Sequence, residues 1–400
     1  MPRDLQAELD DAERLRREGE LDEAARACGT ILRAAPGDAA VLLLAGRIQL
    51  QRDPPADAVP LLRAAVEAAP DRAAPHALLG EALLRTRRLA SAIGCFEAAA
   101  ARATNPDTVA TLEARIASVY RNAFGHVYQA RLGKPLRLDP PRSWSAHITH
   151  RLLHDRDPRL KTVCDKAATK RWVAGLLGED RVVPSLAIWS EEAEIDFAVL
   201  PAAFALKPSH MSGAFEAVPD KSAADLGALA ETCRAWLKRD YFDQSLEWGY
   251  RGVPRRVLVE PLMTLRGTGL VEVQAHVFRG RVGLICQLWG VKRTPDRAQY
   301  MFDRQGRPLS IRTVKGTYRR ENHFRDHLPE ILRMAETMAR GFADLRVDVF
   351  LTDSGPRINE LTAYPNAGTR AWNPPELDER LGALFEGDFA VLDPFVEEEA

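Results

Sequence analysis

The 400-residue chain has almost no net charge, few lysines and no long apolar run. Its formal charge of −1 creates no long-range field to attract nucleic acid, and basic and acidic residues are interleaved. No apolar segment approaches the roughly 18 residues that a membrane-spanning helix needs, and the first residues, MPRDLQAELDDAERLRREGE, are charged where a signal peptide is apolar. We therefore expect a cytoplasmic protein with no nucleic-acid partner and no integral membrane segment.

Cysteine motifs and the common nucleotide-binding signatures are also missing. The five cysteines are widely spaced and form no CxxC pair, which favours reduced, buried thiols over disulfides or zinc. Neither a GxGxxG nor a Walker sequence is present, and no Ser-His-Asp or Cys-His arrangement stands out. The sequence thus offers no side-chain nucleophile for covalent catalysis.

The composition changes abruptly near residue 125. Before this point the chain is rich in Ala, Leu and Arg with helical periodicity; after it come β-branched runs, aromatics and all nine lysines. With 46% apolar and 28% charged residues, the chain has ordinary globular composition, and its length allows two or three domains. We predict helical repeats over 1–125, a linker over 126–150, a second folded domain over 151–375 and an acidic tail over 376–400.

The first part repeats with a period of 34 residues. Ala24, Ala58 and Ala92 have this spacing, and so do Gly46 and Gly80. This is the period of a helix-turn-helix repeat whose small residues let paired helices approach closely. The region resembles the tetratricopeptide repeat family, although the Trp and Tyr of the fuller consensus are missing. Such a stack either captures a protein partner in its concave groove or acts as a helical spacer, and the sequence leaves both open.

Asp348 and Glu360 lie on two strand-like runs joined by Asp-Ser-Gly-Pro. If Thr352 pairs with Pro356, alternation places both carboxylates on one face, together with Phe350 and Ile358. Two like charges so close are costly, and a divalent cation would neutralise them. Arg346 lies on the same strand face and could hold an anionic oxygen. The alternative is an exposed hairpin with scattered polar residues.

Two lysines are candidates for binding phosphate. Asp165 is a predicted N-cap, followed by a helix from Lys166 to Gly178, and a cation in the first turn is unfavourable unless an anion joins it. Lys207 ends a short apolar strand, and the loop after it contains Ser209, His210, Ser212 and Gly213, small residues that can close over a phosphate. Solvated surface lysines are the alternative.

The next strands suggest a nucleoside site. RRVLVEPLM predicts a buried strand that leaves the sheet at Glu260, where exposed backbone N–H and C=O groups could bind an adenine ring and Leu262 and Met263 could contact it. VEVQAHVFRGRVGLICQLWG then predicts two strands turned at Arg-Gly-Arg, with Glu272 and Gln274 on one face. Glu272 could accept ribose hydroxyls, although the polar face of an ordinary antiparallel sheet would give the same pattern.

Between Leu152 and Thr369 the chain resembles the ATP-grasp superfamily, and most closely its TupA-like branch of teichuronopeptide biosynthesis. The resemblance is carried, in order, by DPRLKTVCDK, EIDFAVLPAAFALKPSH, VLVEPLM, VEVQAHVFRG and LRVDVF…INELTAYPNAG. It implies an α+β domain whose two subdomains, each with an antiparallel sheet, clamp ATP, following the all-α tetratricopeptide-like repeat. It also implies that ATP phosphates bind to Lys166 and Lys207 under the loop with Ser209, Ser212 and Gly213, adenine to Glu260 and Leu262, ribose to Glu272, and Mg²⁺ to Asp348 and Glu360.

The sequence departs from the family pattern at two positions. Many ATP-grasp enzymes have Glu-x-Asn as the last metal motif, whereas here Glu360 is followed by Leu-Thr. The third ligand is therefore open between Thr362, Asn359 and Asn366. Gln274 stands where this branch is expected to have lysine, and losing that cation would weaken phosphate binding or change the second substrate.

The resemblance implies an ADP-forming carboxylate-amine ligase. A substrate carboxylate attacks the γ-phosphate of ATP while Lys207 and Arg346 steady the transferring group, and an amine then displaces phosphate. His210 either orients the carboxylate or moves a proton, or it has a structural role. An amino acid or a uronic-acid-containing polymer of a cell-surface polysaccharide is the implied substrate class. Two alternatives are a phosphotransferase on the same fold and a non-catalytic nucleotide-binding scaffold.

Overall fold

The computed structural model describes residues 3–52, 54–263, 270–290, 297–313 and 317–397. The chain forms two compact units, Met1–Ala123 and Phe124–Ala400. None of the described helices combines the length and the apolarity that a membrane crossing requires.

The first unit consists of helices packed as consecutive pairs. Their bounds are α1 (Arg3–Glu18), α2 (Leu21–Ala34), α3 (Ala39–Gln51), α4 (Ala58–Ala68), α5 (Ala73–Arg85) and α6 (Leu89–Ala100), and α7 (Pro106–Leu132) runs on into the second unit. Helices α1 and α2, α3 and α4, and α5 and α6 pack against each other. The predicted helical repeat is thus confirmed.

Small residues explain why the 34-residue period produces this packing. A Cβ atom on Gly46 of α3 would lie 2.5 Å from the side chain of Leu62 on α4, and one on Gly80 of α5 would lie 2.7 Å from the ring of Phe96 on α6. The pairs can approach so closely only because these positions lack a side chain. Ala24, Ala58 and Ala92, at the repeated alanine position, are fully buried.

The second unit is α+β, as predicted. Its helices are α8 (Trp144–His154), α9 (Arg159–Cys164), α10 (Lys166–Leu177), α11 (Leu226–Lys238), α12 (Phe242–Ser245), α13 (Leu328–Met338), α14 (Leu377–Arg380) and α15 (Ala383–Glu386). Its strands are β1 (Ala187–Trp189), β2 (Phe204–Pro208), β3 (Glu216–Val218), β4 (Val257–Pro261), β5 (Val271–Phe278), β6 (Arg281–Trp289), β7 (Ala298–Asp303), β8 (Pro308–Leu309), β9 (Arg312–Thr313), β10 (Thr317–Tyr318), β11 (Asp344–Thr352), β12 (Gly355–Thr362) and β13 (Trp372–Asn373).

Two sheets carry the site. The smaller has the order β1-β4-β2-β3 and the larger the order β10-β7-β6-β5-β11-β12, with β8 beside β7. Neighbouring strands are antiparallel except for β10 and β7. Helix α11 packs on the smaller sheet, and α13 packs on β5, β6 and β11 of the larger one. Antiparallel sheets need an apolar face on one side only, so their other faces can present polar side chains.

Two predicted segment types are wrong. The linker expected over 126–150 is helical at both ends, in α7 and α8, and Trp144 and Ile148 of α8 belong to the core. The acidic tail expected over 376–400 contains α14 and α15, and Leu381 between them and Leu384 in α15 are fully buried in the same core. The acidic residues of this segment suggested a tail, but the leucines between them pack into the core and determine its structure.

Candidate functional site

The hairpin of β11 and β12 brings the two predicted metal-binding carboxylates together. Asp348 pairs directly with Glu360, as expected, but the pairing of the residues between them and the turn differs from the prediction. Thr352 pairs with Gly355 rather than with Pro356, and an irregularity after Asp348 restores the alignment. Asn359 is the extra residue of this β-bulge, which makes it face the same side as Glu360.

Ile358 does not share that face. It pairs with Val349 on the other side of the bulge, and both side chains are fully buried in the core. The predicted pairing placed Ile358 on the same face as the carboxylates. The observed pairing differs by one residue beyond the bulge, and such a shift reverses the direction of every side chain.

Arg346 holds Asp348. Its Nε and Nη2 atoms donate to the two oxygens of the Asp348 carboxylate at 2.7 and 2.6 Å, and Nη2 also donates to Thr362 Oγ1 at 3.0 Å. Burial raises the pKa of Asp348, whereas this guanidinium acts to lower it. Glu360 is less constrained: its side chain is 28% exposed, and Lys166 Nζ and Arg346 Nη2 are 3.8 and 3.9 Å away. Two cations thus balance the carboxylates.

Lys170 and Lys207 form a buried charge cluster with Glu260. Lys207 Nζ on β2 and Lys170 Nζ on α10 contact the Glu260 carboxylate at 2.6 and 2.7 Å. Lys207 also donates to Asn359 Oδ1 at 2.7 Å, which ties the smaller sheet to the hairpin. Burial acts to raise the pKa of Glu260, but the two ammonium groups outweigh it and keep this pKa below its ordinary value.

Helix α10 begins where the sequence predicted, and it places Lys166. The Asp165 side chain caps the helix by accepting from Ala167 N at 3.0 Å. Lys166 Nζ then donates to the Met211 carbonyl at 2.6 Å, inside the loop that follows β2. Burial lowers the pKa of Lys166, and it lowers that of Lys170, one turn further on, to about 8. Lys170 was missed, although its i,i+4 spacing from Lys166 signals a shared helix face.

The loop after β2 is divided between two roles. Ser212 and Gly213 line the cavity of the site. Ser209 does not: it is fully buried, its hydroxyl bonds to the Asp165 carboxylate, and it accepts from Ala167 N at 3.2 Å. Ser209 therefore fixes the loop to α10.

His210 also lies outside the cavity wall. Its Nε2 is 3.1 Å from the carbonyl oxygens of Trp236 and Arg239, and its Nδ1 accepts from Arg256 N at 3.4 Å. Both ring nitrogens are therefore used by backbone groups, and burial lowers the pKa of His210. The predicted catalytic role of His210 does not agree with this geometry.

The predicted nucleoside end of the site is lined by apolar and polar side chains. Leu262 and Met263, just past the end of β4, form part of the cavity wall, as does Glu272 on β5. Glu272 contacts Arg297 Nη2 at 3.2 Å and accepts from Gln274 Nε2 at 3.1 Å. The Glu260 carboxylate contacts the two lysines, and the adenine contact predicted for the backbone groups at this strand end stays a prediction.

These elements enclose one cavity of about 400 Å³, within the range of small-molecule sites. Its charged or amide-bearing wall residues are Lys166, Lys207, Glu260, Glu272, Gln274, Arg297, Gln299, Arg346, Asn359, Glu360, Asn366 and Arg370, and Thr362 is among those that contribute a hydroxyl. Asp348 lies beneath Arg346 and is fully buried.

The donor set fits ATP with Mg²⁺. Mg²⁺ is commonly held by one or two carboxylates together with substrate phosphates. Asp348 and Glu360 can supply these carboxylates. Within the described ranges, no group of three or more His, Cys, Asp and Glu side chains forms a metal site. The candidates for a third protein ligand are thus the amide or hydroxyl oxygens of Asn359, Thr362 and Asn366, which all line the cavity.

Two family models match the chain. A family model described as TupA-like ATPgrasp matches residues 146–386, and one described as tetratricopeptide repeat matches residues 54–116. No curated protein gives a significant match.

Several solved structures are similar at low identity. D-alanine–D-alanine ligase from Bacillus anthracis, complexed with ATP, is 13% identical over 59% of this chain and 67% of its own, with a TM-score of 0.36. The ATP-grasp ligase PsnB, complexed with minimal precursor, is 15% identical over 61% of this chain and 68% of its own, with a TM-score of 0.35. MamA protein is 20% identical over 50% of this chain and 100% of its own, with a TM-score of 0.29. At these values the three structures say nothing about activity.

Proposed function

Because this chain belongs to the TupA-like ATP-grasp family, we propose that it is an ATP- and Mg²⁺-dependent carboxylate-amine ligase that releases ADP and phosphate. One observation carries the proposal. A single cavity brings Lys207 from the smaller sheet, Lys166 from the start of α10 and Glu360 from the larger sheet together. Cations for a polyphosphate and a carboxylate for its metal ion thus face the same space.

The reacting end of ATP would lie between these groups. Lys166 and Lys207 would bind phosphate oxygens, for which a flexible ammonium is well suited. Asp348 and Glu360 would hold Mg²⁺, and the ion would neutralise charge on the transferring phosphoryl group. Because Arg346 occupies both oxygens of Asp348, metal binding there would replace part of this ion pair.

The chemistry requires two displacements. An oxygen of the acid substrate attacks the γ-phosphorus of ATP, and the bond between this phosphorus and the β,γ-bridging oxygen breaks. ADP departs, and the acid substrate becomes an acyl phosphate. The amine nitrogen then attacks the acyl carbon, phosphate leaves with the C–O bonding electrons, and the proton lost by the amine passes to the departing phosphate. Lys207 and Arg346 steady the phosphoryl group in the first displacement. Ser212 and Gly213 cover it and exclude water, which would otherwise hydrolyse the acyl phosphate.

The remaining assignments follow from position along the cavity. Leu262 and Met263 would contact the adenine ring, and Glu272 would accept the ribose hydroxyls. The family resemblance favours a cell-surface polysaccharide or peptide polymer as the product, made in the cytoplasm where ATP is available. The helical repeats would then recruit a protein partner or the polymer.

A calorimetric titration tests the phosphate assignment. Lys166→Ala and Lys207→Ala should each lower the affinity for Mg²⁺-ATP by about 2 to 4 kcal/mol, since each leaves a charged oxygen unpaired in the cavity. Lys238→Ala, at an exposed lysine at the end of α11, is the matched control and should change nothing. Unchanged ATP affinity in both cavity variants would refute the assignment.

An ADP-release assay with pairs of acids and amines separates the possible activities. A ligase forms ADP and phosphate only when acid and amine are both present. A phosphotransferase leaves phosphate on its product, and a binding scaffold turns over nothing. Either of these two outcomes would contradict the proposed ligase.

A further inference from the structure

Arg370 is a cation in the cavity wall that neither the sequence nor the proposed reaction explains. It follows the 3₁₀ turn Pro365–Gly368 and precedes β13. Its Nε donates to Asn366 Oδ1 at 3.0 Å, and its Cζ lies 5.3 Å from the centre of the Trp372 ring. Arg370 lines the cavity together with Arg346 and Glu360, which belong to its proposed reacting end.

Ion pairing distinguishes Arg370 from the other cations of the wall. Lys207 contacts Glu260, Arg297 contacts Glu272, Arg346 contacts Asp348, and Lys166 lies 3.8 Å from Glu360. Arg370 has no carboxylate partner in the part of the chain that the structure describes, and its Nη1 atom is buried without an acceptor. A buried donor without a partner is costly, and more so when it is charged.

The backbone that presents Arg370 is held in place. Asn366 and Ala367 have positive φ angles of 54° and 50°, which non-glycine residues adopt at a cost. Gly368 packs so closely on α8 that a Cβ atom would lie 2.6 Å from Thr149 Oγ1 and 3.0 Å from the Ser145 carbonyl. The arginine is therefore positioned by a turn that is fixed on a helix, as a binding residue should be.

We propose that Arg370 binds a second carboxylate of the substrate, one that is not activated by ATP. This inference rests on the proposed ligase function. The planar guanidinium matches a carboxylate through two parallel hydrogen bonds, and such an anion would neutralise the one unpaired cation of the described cavity wall. The substrate class is thus an acid or an amine that carries an additional carboxylate, such as a dicarboxylic acid or an amino acid.

The test uses the full-length protein saturated with Mg²⁺ and a non-hydrolysable ATP analogue. Calorimetry measures the binding of dicarboxylates, each compared with its monoamide, and of amino acids, each compared with its α-amide. The dicarboxylate series tests whether the additional carboxylate belongs to the acid substrate. The amino-acid series tests whether it belongs to the amine substrate. We expect the wild type to prefer the carboxylate over the amide in one of the series.

The variants are Arg370→Gln, Arg370→Lys and Arg131→Gln. Arg131 is an exposed arginine that donates to Thr369 Oγ1 at 3.2 Å and does not line the cavity, so it is a matched control beside the same turn. Arg370→Gln should weaken carboxylate binding at least tenfold and remove the preference over the amide. Arg370→Lys should keep part of the preference for the carboxylate over the amide, and Arg131→Gln should leave this preference unchanged.

Two further readouts separate binding from a structural role. Because Arg370 lacks an ion-pair partner among the described residues, Arg370→Gln should not lower the melting temperature, and it should leave ATP affinity unchanged. A lower ATP affinity would assign Arg370 to phosphate and overturn the inference. Equal binding of carboxylates and amides, or no binding of any probe to the wild type, would overturn it as well. Loss of ATP binding by the wild type would instead contradict the proposed function.

Discussion

Individual residues of the site differ in how much their charge contributes to the fold. Asp348 is fully buried and has both carboxylate oxygens bound by Arg346. The side chain of Glu360 is 28% exposed, and among the described residues Lys166 Nζ and Arg346 Nη2 lie 3.8 and 3.9 Å from its carboxylate. The two proposed metal ligands should therefore respond differently to neutralisation.

We expect Asp348→Asn to lower the free energy of unfolding by about 3 to 5 kcal/mol, because it leaves the buried Arg346 without its partner. Glu360→Gln should change it by less than about 1 kcal/mol. Both variants should lose the rise in melting temperature that Mg²⁺ with ATP gives the wild type. If the wild type shows no such rise, or if both variants keep it, these carboxylates do not bind the metal ion.

Glu247 is a buried carboxyl whose ionisation is opposed by its surroundings. Burial raises its pKa to about 8. The titratable groups that interact with it are Cys164, Tyr241, Tyr250 and Tyr364, whose pKa values are also raised, mainly by burial. None of these four groups ionises near neutral pH, so Glu247 is the member of this cluster that titrates there.

The stability of the protein should therefore fall with rising pH in a way that depends on Glu247. Its pKa is higher in the folded than in the unfolded state, so its contribution is complete below the ordinary value of 4.5 and is lost as pH rises to about 8. Relative to Glu247→Gln, the wild type should lose on the order of 1.4 kcal/mol per pH unit in this interval. Urea unfolding from pH 5 to 9 measures this.

The exposed Glu376 provides the control, because Glu376→Gln should leave the pH dependence of the wild type unchanged. A stability difference between wild type and Glu247→Gln that is constant over the same interval would mean that Glu247 ionises normally.

At the scale of elements, a single extra residue determines the shape of the site. The bulge at Asn359 aligns Asp348 with Glu360 and turns the Asn359 amide toward Lys207. The sequence predicted the alignment of the carboxylates but not the bulge, because alternation is read within a strand whereas a bulge depends on the pairing of two strands.

The helix pairs of the first unit depend on glycine at defined positions. Gly80→Ala should lower the free energy of unfolding by about 1 to 3 kcal/mol, because the new methyl group would overlap the ring of Phe96. The matched control is Gly29→Ala in α2, where a Cβ atom meets nothing within 4 Å and should stabilise the helix by about 0.5 to 1 kcal/mol. Thermal unfolding of both variants tests this.

A reduced cost of Gly80→Ala when Phe96 is also changed to Leu would confirm that the ring causes the destabilisation. If Gly80→Ala is as well tolerated as Gly29→Ala, the 34-residue glycine spacing has no packing role.

At the scale of the whole molecule, α7 belongs to both units in sequence. Its C-terminal part contains Tyr128, which is buried and whose hydroxyl lies 3.5 Å from Ser143 Oγ. A fragment that starts at Pro106 keeps this helix whole and should bind ATP within about threefold of the full chain, since the cavity belongs to the second unit alone.

A fragment that starts at Leu136 removes Tyr128 and should melt at a lower temperature than the longer fragment. Calorimetry and thermal unfolding of the two fragments decide the matter. If the longer fragment aggregates, the repeats act as a structural cover rather than as a recruitment module.

The sequence by itself determined the helical repeat and the start of α10, because each depends on local spacing, capping and composition, whereas the α+β domain was implied by the family resemblance. It also directed attention to Lys166, Lys207 and Glu360, which the structure brings into one cavity. Only the tertiary structure separated Ser212 from Ser209 and His210, identified Lys170 and Asn359 as partners within the charge cluster, and placed Arg370 in the wall. The physical reason is that these facts concern which side chains of distant segments meet, and that depends on strand pairing and packing rather than on spacing along the chain.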